Sequence, residues 1–473
     1  MGPLQQIQNA ISTSVKGGTI YFIGIGGIGM SALARYFHSH GNKVSGYDKT
    51  ETALTRQLLK EGIDVHYEED MSKAPRHPDL IVYTPAIPAT HTELLYYRQQ
   101  DAPLYKRSEV LGMITENSFN ICIAGTHGKT TVSTMIAHIL RHSGYGSNAF
   151  LGGIAVNYGS NFWSSESNVC VVEADEYDRS FLRLVPDIAV LTSMDADHLE
   201  IYGDEETMQQ AFIEFTQKIK NGGVLFHKYG LGKAPQLGSN KKFSYHLSDT
   251  AADIYATDIK VDNGSYHFTI KSMQCQSNGV ALNMGGLHNV ENTVASISVA
   301  HELGIEDEAI RNAIQAFRGV KRRFEYIIKK SAVIYIDDYA HHPEELKALI
   351  GGTQDLFRDR KVTIIFQPHL FSRTKDFADG FARSLDMANE VLLLPIYPAR
   401  ELPIEGVTSD MIASRMQNKK VKVVSKELAV EKIKQLVNED MLDILITAGA
   451  GDIDTLVGPL SSVINNKLDN QNK

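Results

Sequence analysis

Two glycine-rich turns, each placed between an apolar run and a helical pattern, constrain the fold of this chain most strongly. The first turn, 24–29 (Gly-Ile-Gly-Gly-Ile-Gly), follows the apolar run 19–25, and the second, 125–131 (Gly-Thr-His-Gly-Lys-Thr-Thr), follows the run 119–124. Glycine lets the backbone turn tightly, so that N–H groups and the positive end of the following helix face an anion. The arrangement predicts two phosphate-binding turns in an α/β protein.

Short runs rich in Val and Ile alternate with helical patterns through the rest of the chain, as at 362–366, 391–394 and 444–447. Nearly continuous apolar strands separated by helices are typical of parallel sheets covered on both faces. The segment 243–273 alternates more regularly and contains Asp-Asn-Gly at 262–264. It is predicted to form a small antiparallel hairpin.

A chain of 473 residues is long enough for about three domains at roughly 150 residues each. Three blocks of strand and helix patterns divide it accordingly. The predicted domains are an N-terminal Rossmann-like domain, a central P-loop mononucleotide-binding domain that carries the antiparallel element, and a C-terminal Rossmann-like domain: residues 1–116, 117–325 and 326–473.

Composition excludes several classes of protein. A net charge of −9, from 56 acidic and 47 basic residues, lacks the basic excess typical of a nucleic-acid-binding face. The three cysteines, Cys122, Cys170 and Cys275, are far apart in sequence, which argues against a disulfide framework or zinc site and fits a reducing cytosol. No apolar run approaches the roughly 20 residues that cross a bilayer. We expect a cytoplasmic monomer or homodimer with small-molecule partners, no nucleic acid and no membrane insertion.

Acidic residues follow two strands of the predicted central sheet. Glu173 ends the run 169–172, and Asp197-His198 lies beyond the run 188–192. Because ligands bind beyond the carboxyl ends of parallel strands, Glu173 is predicted to bind Mg²⁺ together with the Thr130 hydroxyl. His198 could complete a metal site, although Mg²⁺ prefers oxygen. The nearby acids at 175, 176 and 178 fit a solvated loop equally well.

Polar segments in the last third of the chain predict further contacts. His288, Asn289 and Asn292 open a helix and suit either a nucleobase or a helix cap. Arg323 lies in a basic cluster that fits a solvated charge run or a contact to the γ-phosphate of a nucleotide. The segments 337–343 and 367–374 supply aspartates, histidines and an arginine, a set that matches a zwitterionic amino acid.

Three other functions use some of the same residues. The first turn with Asp48, about 20 residues on and suited to a ribose hydroxyl, fits a nicotinamide-dependent dehydrogenase, but leaves the second turn unexplained. The second alternative is a GTPase or a nucleotide-binding regulatory switch, because residues 466–469 (Asn-Lys-Leu-Asp) match a guanine-binding motif. However, these residues lie in a polar tail and follow no buried strand. A non-catalytic binding module is the third possibility, and the number of separate predicted sites argues against it.

Taken in order, these motifs resemble the Mur ligase family. The resemblance rests on the second turn, Glu173, Asp197-His198, the set at 288–292 and Arg323-Phe324-Glu325, and it covers nearly the whole chain. The first turn and the run 337–343 look most like the members that add L-alanine. The resemblance implies ATP-dependent ligation of L-alanine to the carboxylate of UDP-N-acetylmuramate through an acyl phosphate, in peptidoglycan synthesis for cell-wall growth and division. Another Mur-type amide ligase, one that recycles a tripeptide or adds a later residue, is the alternative.

The resemblance also implies residue roles. The UDP-sugar would contact Gly24, Gly26, Gly27, Gly29 and Asp48. ATP would contact Gly125, Thr126, His127, Gly128, Lys129, Thr130, Thr131, His288, Asn289, Asn292 and Arg323. Mg²⁺ would be held by Thr130, Glu173 and His198. L-Alanine would be placed by Asp338, Tyr339, His341 and Arg373. The catalytic residues would be Lys129, Arg323 and His341, with His341 as a candidate base.

Four positions depart from the family pattern. Alanine-adding members often carry arginine where this chain has Leu370, so Arg373 is left as the single arginine of that segment. The other departures are Ser193 for asparagine, Ala340 for glycine and Arg400 for glycine.

Overall fold

The computed structural model describes residues 17–471, except 101, 197–198, 273–275, 400 and 419. The chain divides into two compact units. The first unit contains Met1–Ala256, Ile270–Ser277 and Glu291–Ile314, and the second contains Thr257–Thr269, Asn278–Val290 and Gln315–Lys473. Three β-sheets, with five, ten and six strands, organise the chain.

The five-stranded sheet is parallel throughout, with strand order β3-β2-β1-β4-β5. Its central strand β1 is buried on both faces from Ile20 to Ile23, as expected for a parallel strand covered by helices. The elements of this part of the chain are β1 Thr19–Ile23, α1 Ile28–Ser39, β2 Lys43–Tyr47, α2 Ala53–Lys60, β3 Asp64–His66, β4 Leu80–Tyr83, α3 Thr92–Gln99, β5 Leu104–Lys106 and α4 Arg107–Thr115.

The central part of the chain begins with the second glycine-rich turn between a strand and a helix. Its first elements are β6 Phe119–Ala124, α5 Lys129–His142, β7 Asn148–Ala155, β8 Ser160–Trp163, β9 Val169–Glu173, a 3-10 helix at Tyr177–Arg183, β10 Ile188–Leu191, α6 Leu199–Tyr202 and α7 Glu205–Gln217. They are followed by β11 Val224–Lys228, a 3-10 helix at Ala234–Gln236, β12 Lys241–His246, β13 Ile254–Asp262, β14 Ser265–Ser272, β15 Gln276–Leu282, α8 Leu287–Glu302 and α9 Asp307–Ala316.

The strand order of the ten-stranded sheet is β15-β14-β13-β12-β11-β10-β6-β9-β7-β8. Strands β13 and β14 are joined by Asn263 and Gly264, both with positive φ (47° and 72°), as a tight hairpin turn requires. This confirms the predicted hairpin. The prediction was wrong for its first residues, because β12 is parallel to β11. The antiparallel pair β7 and β8 was not predicted.

The six-stranded sheet has the order β16-β17-β21-β18-β19-β20. Its elements are β16 Glu325–Lys329, β17 Ile334–Asp338, α10 Pro343–Leu356, β18 Val362–Phe366, α11 Phe371–Leu385, β19 Glu390–Leu393, α12 Ser409–Ala413, β20 Val421–Val423, α13 Lys426–Asn438, β21 Ile444–Ala448, a 3-10 helix at Asp452–Leu456 and α14 Val457–Gln471. All pairs are parallel except the edge strand β16, which is antiparallel to β17.

The C-terminal segment differs from the polar tail that the sequence predicted. Helix α14 includes the guanine-type motif at 466–469, and Leu460, Ile464 and Leu468 of this helix are buried. A spacing of four residues places these leucine and isoleucine side chains on one face. The motif therefore belongs to an amphipathic helix that packs on the third sheet.

The single tryptophan of the sequence, Trp163, ends β8 and is buried. Its ring meets the Tyr158 ring at a centroid distance of 4.8 Å, and the Arg141 guanidinium lies 5.4 Å from its centre. Within the described residues, no helix combines the length and hydrophobicity of a membrane span.

Candidate active site

The phosphate loop, residues 125–131, is held open by two glycines and one serine. Gly125 and Gly128 have φ of 126° and 84°, and a side chain on Gly125 would overlap the Thr192 hydroxyl. The Ser193 hydroxyl lies 2.7 Å from the Thr126 hydroxyl and accepts from the His127 N–H at 2.9 Å. The loop N–H groups are thereby preset at the start of α5, where an anion is favoured.

Lys129 is folded back onto its own loop. Its ammonium donates to the Gly125 carbonyl at 2.6 Å and to Glu176 Oε1 at 2.7 Å. Glu176 is only 1% exposed. Burial raises the pKa of the Glu176 carboxyl, and the Lys129 charge opposes that rise. Among the described residues, Glu176 Oε2 has no hydrogen-bond partner. The cation that would meet a phosphate is therefore shared with a buried acid.

Two oxygen ligands predicted for Mg²⁺ lie together at the carboxyl end of the central sheet. The Thr130 hydroxyl donates to Glu173 Oε1 at 2.9 Å, and the Gly152 N–H donates to Glu173 Oε2 at 2.9 Å. In the described part of the chain, no group of three His, Cys, Asp or Glu residues forms a metal site, and His198 lies outside it. A hydroxyl and one carboxylate suit Mg²⁺, which keeps waters and binds substrate phosphates.

The glycine turn, residues 24–29, is fixed by the neighbouring strand β2. The N–H groups of Gly24 and Ile25 donate to the Tyr47 carbonyl at 2.8 and 2.9 Å. Asp48 Oδ2 accepts from the Gly26 N–H at 2.8 Å. The predicted ribose partner, Asp48, thus holds the backbone of the turn in this structure, and its other oxygen faces the loop that follows β2.

A cavity of about 460 Å³ connects the glycine turn with the phosphate loop. Its wall includes Gly27 and Gly29 on one side and Lys129 and Glu173 on the other. Arg107, the first residue of α4, lies between them: a side chain on Gly29 would come within 3.1 Å of the guanidinium. The Arg107 Nη2 atom is 3.7 Å from Asp175 Oδ2. One anionic ligand can therefore reach from the glycine turn to the phosphate loop.

Helix α8 carries three predicted nucleotide contacts, of which one lies at the phosphate loop. Asn292 Oδ1 is 2.9 Å from the position that a side chain on Gly128 would occupy. In the second unit, Asn289 Nδ2 donates to the Gly285 carbonyl at 2.7 Å, so this amide caps the start of its own helix. His288 packs its ring against Gly286.

The two acids at the end of β17, in the second unit, are held by polar groups of that unit. Asp338 Oδ2 and Oδ1 accept from the N–H groups of Phe324 and Ala340 at 2.6 and 2.7 Å. Desolvation raises the pKa of Asp338 to about 6. Asp337 accepts from the Thr447 hydroxyl at 2.5 Å, and desolvation raises its pKa to about 7. Asp338 thus connects the loop that follows the strand, at Ala340, with the segment that precedes β16, at Phe324.

The two arginines after residue 321 have different surroundings. Arg322 packs against the end of β17: its Nε atom is 3.5 Å from Asp337 Oδ2, and its guanidinium lies 5.0 Å from the centre of the Tyr339 ring. The Arg323 side chain is exposed, and its charge lowers the pKa of Asp338 against the effect of burial. An exposed Arg323 is available to a ligand.

The remaining predicted amino-acid contacts form a cluster in the second unit. His341 Nδ1 is 2.9 Å from the Tyr339 carbonyl oxygen, and the His341 ring lies 6.2 Å from the His369 ring. Desolvation, followed by the Arg373 charge, lowers the pKa of His369. Within the described residues, the buried Nη1 atom of Arg373 has no hydrogen-bond partner. This donor is available to a carboxylate.

Three family models match the chain in succession. The Mur ligase family catalytic domain matches residues 19–118, the Mur ligase middle domain matches residues 123–300, and the Mur ligase glutamate ligase domain matches residues 322–451. A UDP-N-acetylmuramate–L-alanine ligase of Porphyromonas gingivalis is 48% identical over 452 residues, which cover 94% of this chain and 98% of that protein. The chain belongs to the Mur ligase family.

Other relatives agree with this assignment. A UDP-N-acetylmuramate–L-alanine ligase of Flavobacterium johnsoniae is 45% identical to this Mur ligase, over 95% of this chain and 98% of that protein. The crystal structure of a UDP-N-acetylmuramate–alanine ligase from Thermotoga maritima matches with a TM-score of 0.80 and 26% identity, over 95% of this chain and 99% of that chain. The predicted resemblance and the three-domain α/β fold are confirmed.

In each unit of this Mur ligase, residues to which the sequence analysis gave no role lie beside the predicted site residues. Arg107 lines the cavity, and Glu176 binds Lys129. His369 stacks on Tyr397 at a centroid distance of 5.7 Å. Arg107 directly follows β5, and His369 lies three residues after the end of β18. Ligands of parallel sheets bind at such strand-end positions. That signal was present in the sequence; the pairing of Glu176 with Lys129 was not.

Proposed function

We propose that this Mur ligase uses ATP to join L-alanine to the carboxylate of UDP-N-acetylmuramate, a cytoplasmic step in peptidoglycan precursor synthesis. The observation that carries the proposal is the cavity from the glycine turn to Lys129 and Glu173. A sugar nucleotide held by its diphosphate at the turn can extend its acid toward a triphosphate on the loop. The proteins of 45–48% identity that bear the name of this reaction support the same choice of substrates.

The first chemical step makes the sugar acid reactive. A carboxylate and an amine do not condense at useful rates in water, so the muramyl carboxylate attacks the γ-phosphate in line and gives an acyl phosphate and ADP. Lys129 stabilises the charge on the transferring phosphoryl group, and Arg323 is its proposed partner. Thr130 and Glu173 would hold Mg²⁺ together with His198, which lies outside the described residues, and the ion would neutralise charge on the triphosphate.

The second step forms the amide. The L-alanine amine attacks the acyl carbon, phosphate leaves through a tetrahedral intermediate, and a base accepts the ammonium proton. Arg373 binds the alanine carboxylate, because its buried Nη1 donor has no partner within the described residues. His341 is the proposed base, and Tyr339 and Asp338 shape its loop.

The remaining residue assignments follow from the two ligands of the cavity. The UDP diphosphate would lie against Gly24, Gly26, Gly27 and Gly29, with Arg107 beside it. ATP would occupy the phosphate loop with Asn292 next to Gly128, and His288 and Asn289 would serve its adenine or ribose side. We also propose domain boundaries near residues 116 and 325 and a monomer or homodimer.

A panel of amine substrates tests this function. Purified protein receives ATP, Mg²⁺ and UDP-N-acetylmuramate with each of L-alanine, glycine, L-serine, D-glutamate or the tripeptide L-alanyl-γ-D-glutamyl-meso-diaminopimelate, and phosphate release is followed. We expect L-alanine to give the highest kcat/KM and omission of the sugar nucleotide to abolish release. Faster turnover with the tripeptide would assign the recycling reaction instead, and no ATP consumption with any amine would overturn the proposal.

A further inference from the structure

An amide on the edge strand of the ten-stranded sheet is completely buried. Asn161 lies on β8, is 0% exposed and contacts the helix that follows the glycine turn. Its Nδ2 donates to the Ile28 carbonyl at 2.5 Å and to the Ser31 hydroxyl at 3.1 Å. Its Oδ1 accepts from Arg35 Nη1. The side chain thus holds three groups of the first two turns of α1.

Arg35 extends this network to the next helix of the five-stranded sheet. The guanidinium is 7% exposed and donates to Glu61, the residue after α2, through Nε at 2.7 Å and Nη2 at 3.1 Å. Buried hydrogen bonds of this kind depend on direction and are costly to leave unpaired. One amide therefore fixes the position of α1 along β8 and the rotation of α1 about its own axis.

The hairpin that carries Asn161 also contacts the metal-binding side of the site. Gly152, on the partner strand β7, donates its N–H to Glu173 Oε2 at 2.9 Å. The hairpin β7–β8 thus holds the proposed Mg²⁺ ligand through one strand and the helix of the glycine turn through the other. This is a direct mechanical connection between the two phosphate-binding turns of the first unit.

Apolar packing alone does not provide the same precision. The Tyr36 ring of α1 lies 5.6 Å from the Phe150 ring and 6.0 Å from the Phe162 ring of the hairpin. Such contacts hold the two surfaces together, but they are non-directional. Removal of the Asn161 amide would therefore leave the packing in place and release the orientation of α1.

We propose that Asn161 is a positioning residue that sets the distance between the sugar-nucleotide turn and the phosphate loop. The inference rests on the proposed function, in which the muramyl carboxylate must reach the γ-phosphate. Reacting atoms must be held about 3 to 3.5 Å apart and aligned, and a misplacement of about 1 Å can cost about 100-fold in rate. Asn161 acts through α1 and touches neither substrate.

Three variants test this role. Asn161→Ala removes all contacts of the amide, and Asn161→Asp keeps an acceptor for Arg35 but loses the donors to Ile28 and Ser31. Asn148→Ala is the matched control: its amide lies on the same hairpin and binds Ser164, Ser165 and Ser167 of the loop that follows β8. Each variant is compared with wild type in turnover, ligand binding and thermal unfolding.

We expect Asn161→Ala and Asn161→Asp to lower kcat for ADP formation about 10- to 100-fold at saturating substrates. The separate Kd values for Mg-ADP and for UDP, measured by calorimetry, should stay within about threefold of wild type, because each turn keeps its own ligand contacts. In wild type, we expect bound Mg-ADP to change the Kd for UDP-N-acetylmuramate. In both Asn161 variants, this Kd should be the same with and without Mg-ADP. Asn148→Ala should behave as wild type in every assay.

Wild-type kcat in Asn161→Ala, or an equal loss in Asn148→Ala, would overturn the role of Asn161. So would a loss of activity that matches a loss of folded protein at the assay temperature. The binding measurements need no turnover, and they separate two failures. A wild-type protein that consumes no ATP with both substrates contradicts the proposed function, whereas unchanged ligand coupling in Asn161→Ala contradicts this inference.

Discussion

The acids at the end of β9 and in the loop after it, in the first unit, and the acids at the end of β17, in the second unit, are held in opposite ways. In the first unit, Glu176 accepts from the Lys129 ammonium and Glu173 from the Thr130 hydroxyl. Both partners are side chains of the phosphate loop, and both are proposed above as ligands of phosphate or Mg²⁺. These contacts can exchange when a nucleotide binds.

The two acids at the end of β17 accept hydrogen bonds from backbone groups and a buried hydroxyl of their own unit. Asp338 accepts from two backbone N–H groups, and Asp337 accepts from the buried Thr447 hydroxyl. Exchange of these partners would require the loop itself to rearrange. The comparison teaches that two similar strand-end motifs can be held differently. The first pair accepts from an ammonium and a hydroxyl of the phosphate loop, and the second accepts from groups of its own framework, among them the Ala340 N–H beside His341.

The largest expected effect is that of Lys129→Ala, which removes the exchangeable cation. ADP formation should fall at least about 1,000-fold, because a preorganised charge on the transferring phosphoryl group is lost. The variant leaves the buried Glu176 carboxylate without its counter-charge, which can destabilise the fold. The double variant Lys129→Ala with Glu176→Gln removes both charges, so its loss of ADP formation reports on catalysis and not on folding. Lys233→Ala, a lysine paired with Glu206 away from the cavity, is the control. Turnover within tenfold of wild type would break the comparison.

For the second unit, the sharpest test is Arg373→Ala. Loss of a charge-assisted contact to the alanine carboxylate should raise the KM for L-alanine about 100-fold, while the KM for ATP stays near wild type. Steady-state kinetics with L-alanine varied measures the split. Arg415→Ala, which removes a surface pair with Asp379, is the control in the same unit. Equal changes in both KM values would show that Arg373 does not select the amino acid.

A titration tests whether the second pair of acids belongs to the framework. The pKa of Asp337 is about 7 in the folded protein and about 3.9 in an unfolded chain. Between these values the folded state holds a proton that the unfolded chain releases, so the free energy of unfolding falls as pH rises. From about pH 5 to about pH 7, wild type should lose about 2 kcal/mol relative to Asp337→Asn. Urea unfolding of both proteins at the two pH values measures this difference, and parallel curves would contradict it.

The smallest expected effect is that of Glu176→Gln. Lys129 would no longer have to leave a carboxylate to meet a phosphate, so the affinity for Mg-ATP should rise about three- to tenfold. Calorimetry with a non-hydrolysable ATP analogue, in the absence of sugar nucleotide, measures the change. Asp175→Asn, the neighbouring acid of the same loop, should have less effect. A weaker affinity in Glu176→Gln would mean that the acid supports the loop rather than competing for its cation.

Long apolar strands were predictable from sequence, because burial on both faces leaves a continuous run of Val and Ile. Strands β6 and β18 have the predicted bounds, and Asn263-Gly264 correctly indicated a hairpin turn. Strands β8 and β16 were missed, since short antiparallel edge strands of mixed polarity resemble loops. Their identity depends on the neighbouring strand, which the local sequence does not specify.

The candidate site shows the same division between local and long-range information. The phosphate loop, Glu173 and Arg373 carry local patterns that point to their chemistry. The pairing of Lys129 with Glu176 joins residues 47 positions apart, and the contact of Asn161 with Ile28 spans 133 positions. Neither pairing leaves a trace in spacing or composition. The first arises only when β6 and β9 pair within one sheet, and the second only when β8 packs against a helix of the five-stranded sheet.

The position of Trp163 gives this protein a built-in optical reporter. Since the sequence contains no second tryptophan, excitation at wavelengths where tyrosine absorbs little would select one buried indole, two residues beyond Asn161 on the same strand. Its emission would follow the hairpin between the two anion-binding turns without any dye or added label. Stopped-flow traces recorded as each substrate enters could then time the adjustment of that hairpin separately from bond formation.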